Sequence, residues 1–136
     1  MRYRKLSTTG LYVSEICLGT MTFGGKGFWA VMGALGAESV ERLVGASLDA
    51  GVNFIDTANV YAEGESEELV GRALAALNRP RDQVIVATKV RGRMGPGPNQ
   101  VGLSRSHILA SVDASLRRLG LDFLELYPIE GVEIDT

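Results

Sequence analysis

Runs of apolar residues that are typical of buried strands alternate with amphipathic helical patterns along most of this chain. The predicted strands cover residues 16–18, 51–55, 82–89 and 123–127, and the predicted helices cover residues 38–50, 66–77 and 104–119. Strand followed by helix, repeated roughly every thirty to forty residues, is the βα unit of a parallel sheet. No linker or shift in composition interrupts the repeat. The pattern therefore predicts an α/β fold that forms one domain, or one piece of a domain.

The first residues follow a different pattern. Residues 2–6 and 11–14 alternate weakly in polarity on either side of Ser7-Thr8-Thr9-Gly10, which predicts a β-hairpin before the first βα unit.

The second predicted strand leads into residues 56–71, which bring together charged side chains, a tyrosine and a predicted turn. Asp56 follows the apolar run, and Tyr61 lies five residues later in a polar segment that cannot continue the strand. We expect Ser66 to be the N-cap of the next helix, whose acidic first turn suits the helix dipole. In parallel α/β proteins such a strand–loop–helix segment lies on the face that carries active sites.

The third predicted strand ends on Lys89. If the two strands are parallel neighbours, Asp56 and Lys89 emerge together, with Tyr61 close by. A free tyrosine is a weak acid at neutral pH. A neighbouring ammonium stabilises the phenolate and makes Tyr61 a usable proton donor, while Asp56 holds the lysine charged. These roles suit the reduction of a carbonyl group. A structural ion pair beside an ordinary tyrosine is the alternative interpretation of the same spacing.

The chain resembles the N-terminal part of an aldo-keto reductase over nearly its whole length. The segments that carry the resemblance are VSEICLGTMTFGG (13–25), DAGVNFIDTANVYAEGESEELVG (49–71), VIVATKV (84–90) and SRSHILASVDASLRRLGLDFLELY (104–127). The resemblance implies a (βα)8 barrel of the TIM type that uses NADPH to reduce aldehydes and ketones. It also implies a catalytic tetrad of Asp, Tyr, Lys and His, and Asp56, Tyr61 and Lys89 match its first three positions.

The resemblance also implies how much of the barrel is present. A (βα)8 barrel needs about 250 residues, and this chain has 136. We therefore expect residues 1–136 to form the N-terminal half of the barrel, a single partial domain of about four βα units after the hairpin. Such a chain is expected to be inactive on its own. By resemblance, Gly19, Thr20, Met21 and Asp56 lie against the NADPH cofactor.

Two further residues have open interpretations. Trp29, in the long glycine-rich loop of residues 24–36, either lines the substrate pocket or seals the barrel edge. Glu130 stands where the family has its histidine, in Leu126-Tyr127-Pro128-Ile129-Glu130. It either acts as in the steroid 5β-reductases, which carry glutamate at this position, or is a solvated residue near the end of the chain.

The remaining polar residues favour structural roles. We expect Ser104 to cap the third helix and Ile108, Val112, Leu116 and Leu119 to form its apolar face. His107, the single histidine, is expected to be a surface or capping residue. The arginines of the loop after residue 90 are expected to be solvated.

Composition excludes several classes of partner. A net charge of −2 supplies no basic surface for nucleic acid or an anionic membrane. No stretch of 18 apolar residues predicts a membrane span. A single cysteine, Cys17, cannot form an internal disulfide and is compatible with a reducing cytoplasm. No set of metal ligands is predicted.

Association is expected for a physical reason. Residues 84–87 are apolar on consecutive positions, which is typical of a strand covered on both faces. Four βα units leave the inner face and the sheet edges open, so the chain is expected to pair with a second copy or with a missing C-terminal half. Three functions stay open: an NADPH-dependent carbonyl reductase, an interaction protein like the potassium-channel β subunits that resemble this family, and an inactive half-barrel.

Overall fold

A three-stranded parallel sheet with helices along one face forms the centre of the computed structural model, which describes residues 1–131. The helices and strands are β1 Tyr3–Lys5, β2 Tyr12–Ser14, β3 Leu18–Gly19, α1 Ala37–Asp49, β4 Phe54–Asp56, α2 Glu65–Leu77, β5 Ile85–Ala87 and α3 Arg105–Leu119. Short 3-10 turns lie at Gly27–Val31, Tyr61–Gly64 and Arg81–Gln83.

The sheet order follows the chain order, β3-β4-β5, and every pairing is parallel. Gly19 lies opposite Asp56, and Asp56 lies opposite Ala87, so the carboxyl ends of the three strands meet at one edge. Sequential order with all helices on one face is the arrangement of a barrel segment rather than of a doubly wound sheet. Within residues 1–131 the sheet is an open arc.

The predicted hairpin is present and lies at the opposite end of the sheet. β1 and β2 pair antiparallel, from Tyr3 with Ser14 to Lys5 with Tyr12. Asn53, just before β4, fixes this position: its side chain accepts from the Ser14 N–H at 2.7 Å and donates to the Tyr12 carbonyl at 3.0 Å.

The apolar core lies between the sheet and the three helices, because β4 and β5 direct alternate side chains toward them. Its buried members are Phe23, Val40, Val44, Ile55, Leu69, Val70, Ala73, Val84, Val86 and Leu119. Gly71 lets α2 approach the end of α3 closely. A Cβ atom at this position would lie 2.4 Å from the Leu119 carbonyl oxygen.

The predicted fourth strand is only partly formed. Residues 123–127 do not make a continuous strand; the segment instead makes isolated parallel bridges between Ala87 and Leu126 and between Val90 and Ile129. The physical reason is that, at the start of this segment, a side-chain carboxylate takes the place of a backbone carbonyl in the hydrogen bonding to β5. The carboxylate of Glu125 accepts from the Val86 N–H at 3.0 Å and binds Arg81 with both oxygens.

The third helix begins and ends as predicted, but its buried face differs. Ser104 Oγ accepts from the His107 N–H at 3.2 Å, and Gly120 ends the helix in the left-handed conformation. Leu119 is buried, whereas the other predicted apolar residues are only half-buried. The residues that face the sheet are His107, Ser111, Ser115 and Leu119. The expectation that His107 lies on the surface is therefore wrong.

This polar face fits a buried ion pair beneath it. Glu67 of α2 is fully buried; its carboxylate accepts from Arg118 Nε at 2.6 Å and from Thr88 Oγ1 at 2.5 Å. Tyr127 lies nearby. Burial, together with the negative charge of Glu67, raises the pKa of Tyr127 to about 12, so this tyrosine is neutral at physiological pH.

We expect Arg118→Met to lower the free energy of unfolding by about 3 kcal/mol, because it leaves the buried Glu67 carboxylate without its cation. Arg117→Met is the matched control, since Arg117 is the exposed neighbour in the same helical turn. It should change stability by about 0.5 kcal/mol or less. Urea denaturation of both variants measures the difference, and equal losses would contradict the structural role of the pair.

Candidate active site

Asp56 and Lys89 meet at the carboxyl edge of the sheet. Asp56 is the last residue of β4, and Lys89 lies two residues beyond β5. Because Asp56 is paired with Ala87 in the parallel register, the lysine side chain returns directly to it. Lys89 Nζ donates to Asp56 Oδ2 at 2.7 Å and to the Thr57 carbonyl oxygen at 3.0 Å.

Tyr61 completes the group, in the 3-10 turn that follows β4. Lys89 Nζ lies 3.3 Å from Tyr61 Oη and 5.0 Å from the centre of the ring. An ammonium group has three N–H donors and no acceptor. Its donors are directed at Asp56, Thr57 and Tyr61, so the tyrosine oxygen accepts and its own hydrogen is left for another group. The three residues predicted from the sequence are thus brought together.

The surroundings hold the lysine in its charged form. Burial by itself would lower the pKa of Lys89, but its hydrogen bonds to Asp56 and Tyr61 and the negative charge of Asp56 raise the pKa above the ordinary value. Lys89 is therefore a fixed positive charge at neutral pH, and it cannot serve as a general base there.

An unusual backbone conformation positions the tyrosine. Ala62, Glu63 and Gly64, the three residues after Tyr61, all have positive φ, at 49°, 57° and 95°. A residue with a side chain is disfavoured in this region by roughly 1–2 kcal/mol. Conformations of this kind are often found where a side chain must be held in one orientation for function.

A cluster of buried hydroxyl groups fixes the start of α2 beneath this turn. Ser66 Oγ donates to the Thr20 carbonyl at 2.9 Å and lies 2.9 Å from Thr20 Oγ1 and 3.3 Å from Thr57 Oγ1. The prediction that Ser66 caps the helix is wrong, because the N-cap is Gly64 and Ser66 lies in the first turn. Its hydroxyl bonds to the neighbouring strand ends instead of the helix backbone.

The loop after β3 brings an aromatic side chain to the site. Trp29 packs edge-on against the ring of Tyr61, with the ring centroids 5.3 Å apart. Glu65 of α2 holds the start of this loop, since its Oε2 accepts from the Gly25 N–H at 2.9 Å. Trp29 is thus in contact with the candidate active site, and both interpretations of its role stay predictions.

The residues predicted to contact a cofactor lie at the same edge of the sheet. Gly19 and Met21 are exposed, and a Cβ atom added to Gly19 would meet no heavy atom within 4 Å. A flat group could approach the backbone there closely. The Thr20 side chain is buried against Ser66 and points away from this edge. The Thr20 backbone is also occupied, since its N–H donates to the Asp56 carbonyl and its carbonyl accepts from Ser66 Oγ. Contact of these residues with a cofactor stays a prediction.

The backbone of Glu130 pairs with the segment that follows Lys89, but Glu130 is not part of the hydrogen-bonded group of Asp56, Tyr61 and Lys89. Its N–H donates to the Val90 carbonyl at 3.1 Å, and its side chain is exposed. Both interpretations of Glu130 stay predictions. The tail residues 132–136 lie outside the described part of the chain.

Two contributors to the site were not identified from the sequence. The Thr57 carbonyl accepts from Lys89, and Cys17 lies near both Asp56 and Lys89. Strand alternation could have found the cysteine, because Cys17 is two residues before Gly19, which pairs with Asp56. Desolvation, followed by the charge of Asp56, raises the pKa of Cys17 to about 11, and Lys89 opposes this shift.

The described residues were also compared with what a metal site and a membrane span require. Within residues 1–131, no group of three or more His, Cys, Asp or Glu side chains could hold a metal ion. No helix in the same range is long and apolar enough to cross a membrane.

Comparison with known proteins gives a consistent result. Residues 15–136 match the Aldo/keto reductase family. The chain belongs to this family. A probable voltage-gated potassium channel subunit beta from Oryza sativa subsp. japonica is 40% identical over 127 residues, covering 93% of this chain and 36% of that protein. A versiconal hemiacetal acetate reductase from Aspergillus parasiticus is 36% identical over 149 residues, covering 96% of this chain and 43% of that protein.

A solved aldo-keto reductase shares the fold. The holo form of aldo-keto reductase AKR11C1 from Bacillus halodurans superposes with a TM-score of 0.81 at 34% sequence identity. The match covers 100% of this chain and 42% of that one. The prediction of a partial TIM-type barrel is therefore confirmed. The chain spans about two fifths of the length of these relatives.

We expect alkylation of Cys17 by iodoacetamide to be slow at pH 9 and to keep accelerating up to about pH 11, because only the thiolate reacts. The urea-unfolded chain is the control, and its rate should level off near the ordinary pKa of 9.0. At pH 9 the folded chain should react more slowly than the unfolded one, because a smaller fraction of the Cys17 thiol is ionised. A folded-state rate that already levels off near pH 9 would contradict the assignment.

Proposed function

We propose that this aldo-keto reductase chain provides the proton donor for an NADPH-dependent reduction of aldehydes or ketones. The observation that carries the proposal is the single ammonium of Lys89, which is hydrogen-bonded both to Asp56 and to Tyr61 Oη. This arrangement leaves one phenol hydrogen next to a fixed positive charge, at the edge of the sheet where barrel enzymes act.

The chemistry follows from these contacts. When bound, NADPH supplies a hydride to the carbonyl carbon, and the carbonyl bond becomes a single C–O bond. Tyr61 gives its proton to the oxygen, so that the product is an alcohol. The tyrosinate that remains is stabilised by Lys89 and regains a proton from solvent. Asp56 keeps the ammonium in place throughout.

The shape of the edge supports a cofactor on the Gly19 side of the site. Gly19 is exposed with open space at its α-carbon, and it is paired with Asp56, which is hydrogen-bonded to Lys89. Trp29 contacts the edge of the tyrosine ring, and in this proposal it would also contact the substrate. The choice of NADPH over NADH comes from the family resemblance.

The role of Tyr61 is tested through its partner. We expect Lys89→Met to lower turnover about 100-fold or more while NADPH affinity is largely retained, because the tyrosine loses the charge that activates it. The measurement uses this chain joined to the carboxyl-terminal half of the Bacillus halodurans reductase, with an aromatic aldehyde as substrate. Lys5→Met, on the exposed strand β1, is the matched control. Unchanged turnover in the Lys89 variant at neutral pH would refute the proposal.

A second candidate function is that of an interaction subunit. It is favoured by the 40% identity to a protein named as a potassium channel subunit beta, and by exposed apolar side chains such as Ile16 and Phe28. In this case too the open inner face of the sheet would be covered by a second copy or by the other half of a barrel.

Two measurements on the 136-residue chain test the expectation that it associates and is inactive on its own. We expect light scattering at micromolar concentration to show a dimer or larger species, because an open apolar face of about 600 Å² would forfeit on the order of 15 kcal/mol. We also expect no aldehyde-dependent NADPH oxidation by the chain alone, and none after Glu130→His. A cooperatively unfolding monomer, or steady reduction by the purified chain, would contradict these expectations.

A further inference from the structure

The loop of residues 24–36 lies alongside the turn that begins at Tyr61, and the two segments run in opposite directions. They face each other at three pairs of residues, spaced by two positions on each segment: Gly25 with Glu65, Gly27 with Glu63 and Trp29 with Tyr61. The aromatic contact is at one end of this row, and a hydrogen bond is at the other end. The turn that carries Tyr61 therefore also sets where the loop lies.

Glu65 makes the polar contact of the row. Its Oε2 accepts from the Gly25 N–H at 2.9 Å, and a carboxylate is a stronger acceptor than a neutral group. Gly24 lies against the same carboxylate, since a Cβ atom added there would be 2.6 Å from Oε2. Within residues 1–131, no other hydrogen bond joins residues 25–33 to a residue outside the loop.

The remaining hydrogen bonds of the loop hold its base and not its tip. The Gly24 N–H donates to the Leu35 carbonyl at 2.9 Å, and the Leu35 N–H donates to the Thr22 carbonyl at 3.3 Å. At the tip, Phe28 is 76% exposed, so packing of this side chain does little to fix the position of Trp29. The place of the tip thus depends on the contacts with the turn after Tyr61.

An acidic residue at the start of a helix also has a simpler explanation, because the helix dipole favours negative charge there. Glu68 lies in the same first turn of α2 and is exposed. It shares the dipole with Glu65 but not the contact with the loop. The two explanations can therefore be separated by comparing these residues.

We propose that Glu65 is a positioning residue that holds Trp29 against Tyr61 by fixing the start of the loop. The position requires the acceptor oxygen and not the charge. The effect on substrates rests on the proposed function: a mobile Trp29 no longer forms an aromatic wall beside the phenol of Tyr61, so aromatic aldehydes bind less tightly.

Fluorescence of Trp29, the single tryptophan of the chain, tests the positioning without any activity. In the 136-residue chain, Glu65→Ala should raise the acrylamide quenching constant at least about twofold, because local opening of the loop exposes the indole. Glu65→Gln, whose amide oxygen still accepts from the Gly25 N–H, should keep the parent's constant. Glu68→Ala is the matched control and should also keep it. An unchanged constant in Glu65→Ala, or an equal rise in Glu65→Gln or Glu68→Ala, would overturn the proposal.

Amide exchange in the unaltered chain decides the question even if Glu65→Ala fails to fold. The Lys26 N–H has no hydrogen-bond partner within residues 1–131, whereas the Gly25 N–H is bonded to Glu65. Relative to an unstructured chain, the Gly25 N–H should be protected from exchange at least about tenfold more than the Lys26 N–H. Equal protection of the two would overturn the proposal.

The effect on substrates is measured in the chain joined to the carboxyl-terminal half of the Bacillus halodurans reductase. Glu65→Ala should raise KM for benzaldehyde at least about fivefold, while KM for propanal and both kcat values change about twofold or less. Glu68→Ala should change none of them. An equal rise in both KM values would overturn the role in specificity. A joined protein that reduces no aldehyde would refute the proposed function, and the fluorescence of Trp29 would still decide the role of Glu65.

Discussion

The parallel pairing that sets Asp56 opposite Ala87 is the constraint on which both polar centres of this structure depend. It brings the exit of β5 beside the exit of β4, where Thr88 and Lys89 point to opposite faces of the sheet. Lys89 joins Asp56 and Tyr61 on the inner face, and Thr88 joins Glu67 on the helical face. A shift of one residue in this register would exchange the two side chains and destroy both centres at once.

The two centres differ in burial, and this difference separates their roles. Glu67 is fully buried and satisfied by Arg118 and Thr88, so its ion pair fixes how α2 and α3 pack. Asp56 and Lys89 keep about 32% and 17% of their side-chain surface exposed. A charge that stays accessible can act on a ligand, whereas a charge enclosed by helices can only stabilise the fold. Tyr61 lies beside the accessible lysine, whereas burial, together with the charge of Glu67, raises the pKa of Tyr127.

Prediction from the sequence succeeded where the residues of a segment indicate both its secondary structure and its place in a parallel sheet. Alternating apolar patterns predicted the order of strands and helices, and the residues at the strand ends predicted the meeting of Asp56, Tyr61 and Lys89. Side chains that act on distant backbone could not be inferred in this way. Ser66 has the residue type of a helix cap but bonds to Thr20, and Glu125 replaces a ladder hydrogen bond of β5. His107 was misplaced because the buried face of α3 is polar, and apolar periodicity cannot detect a polar interface.

One short segment after β4 also ties the candidate active site to the exit of β5. Asp56, Asn59 and Tyr61 lie within six residues, and the Asn59 N–H donates to the Lys89 carbonyl at 3.3 Å. The segment that carries Tyr61 is therefore tied to the end of β5 at two points, through the Asn59 N–H and through Lys89 Nζ, and the backbone after Tyr61 is held in a disfavoured conformation.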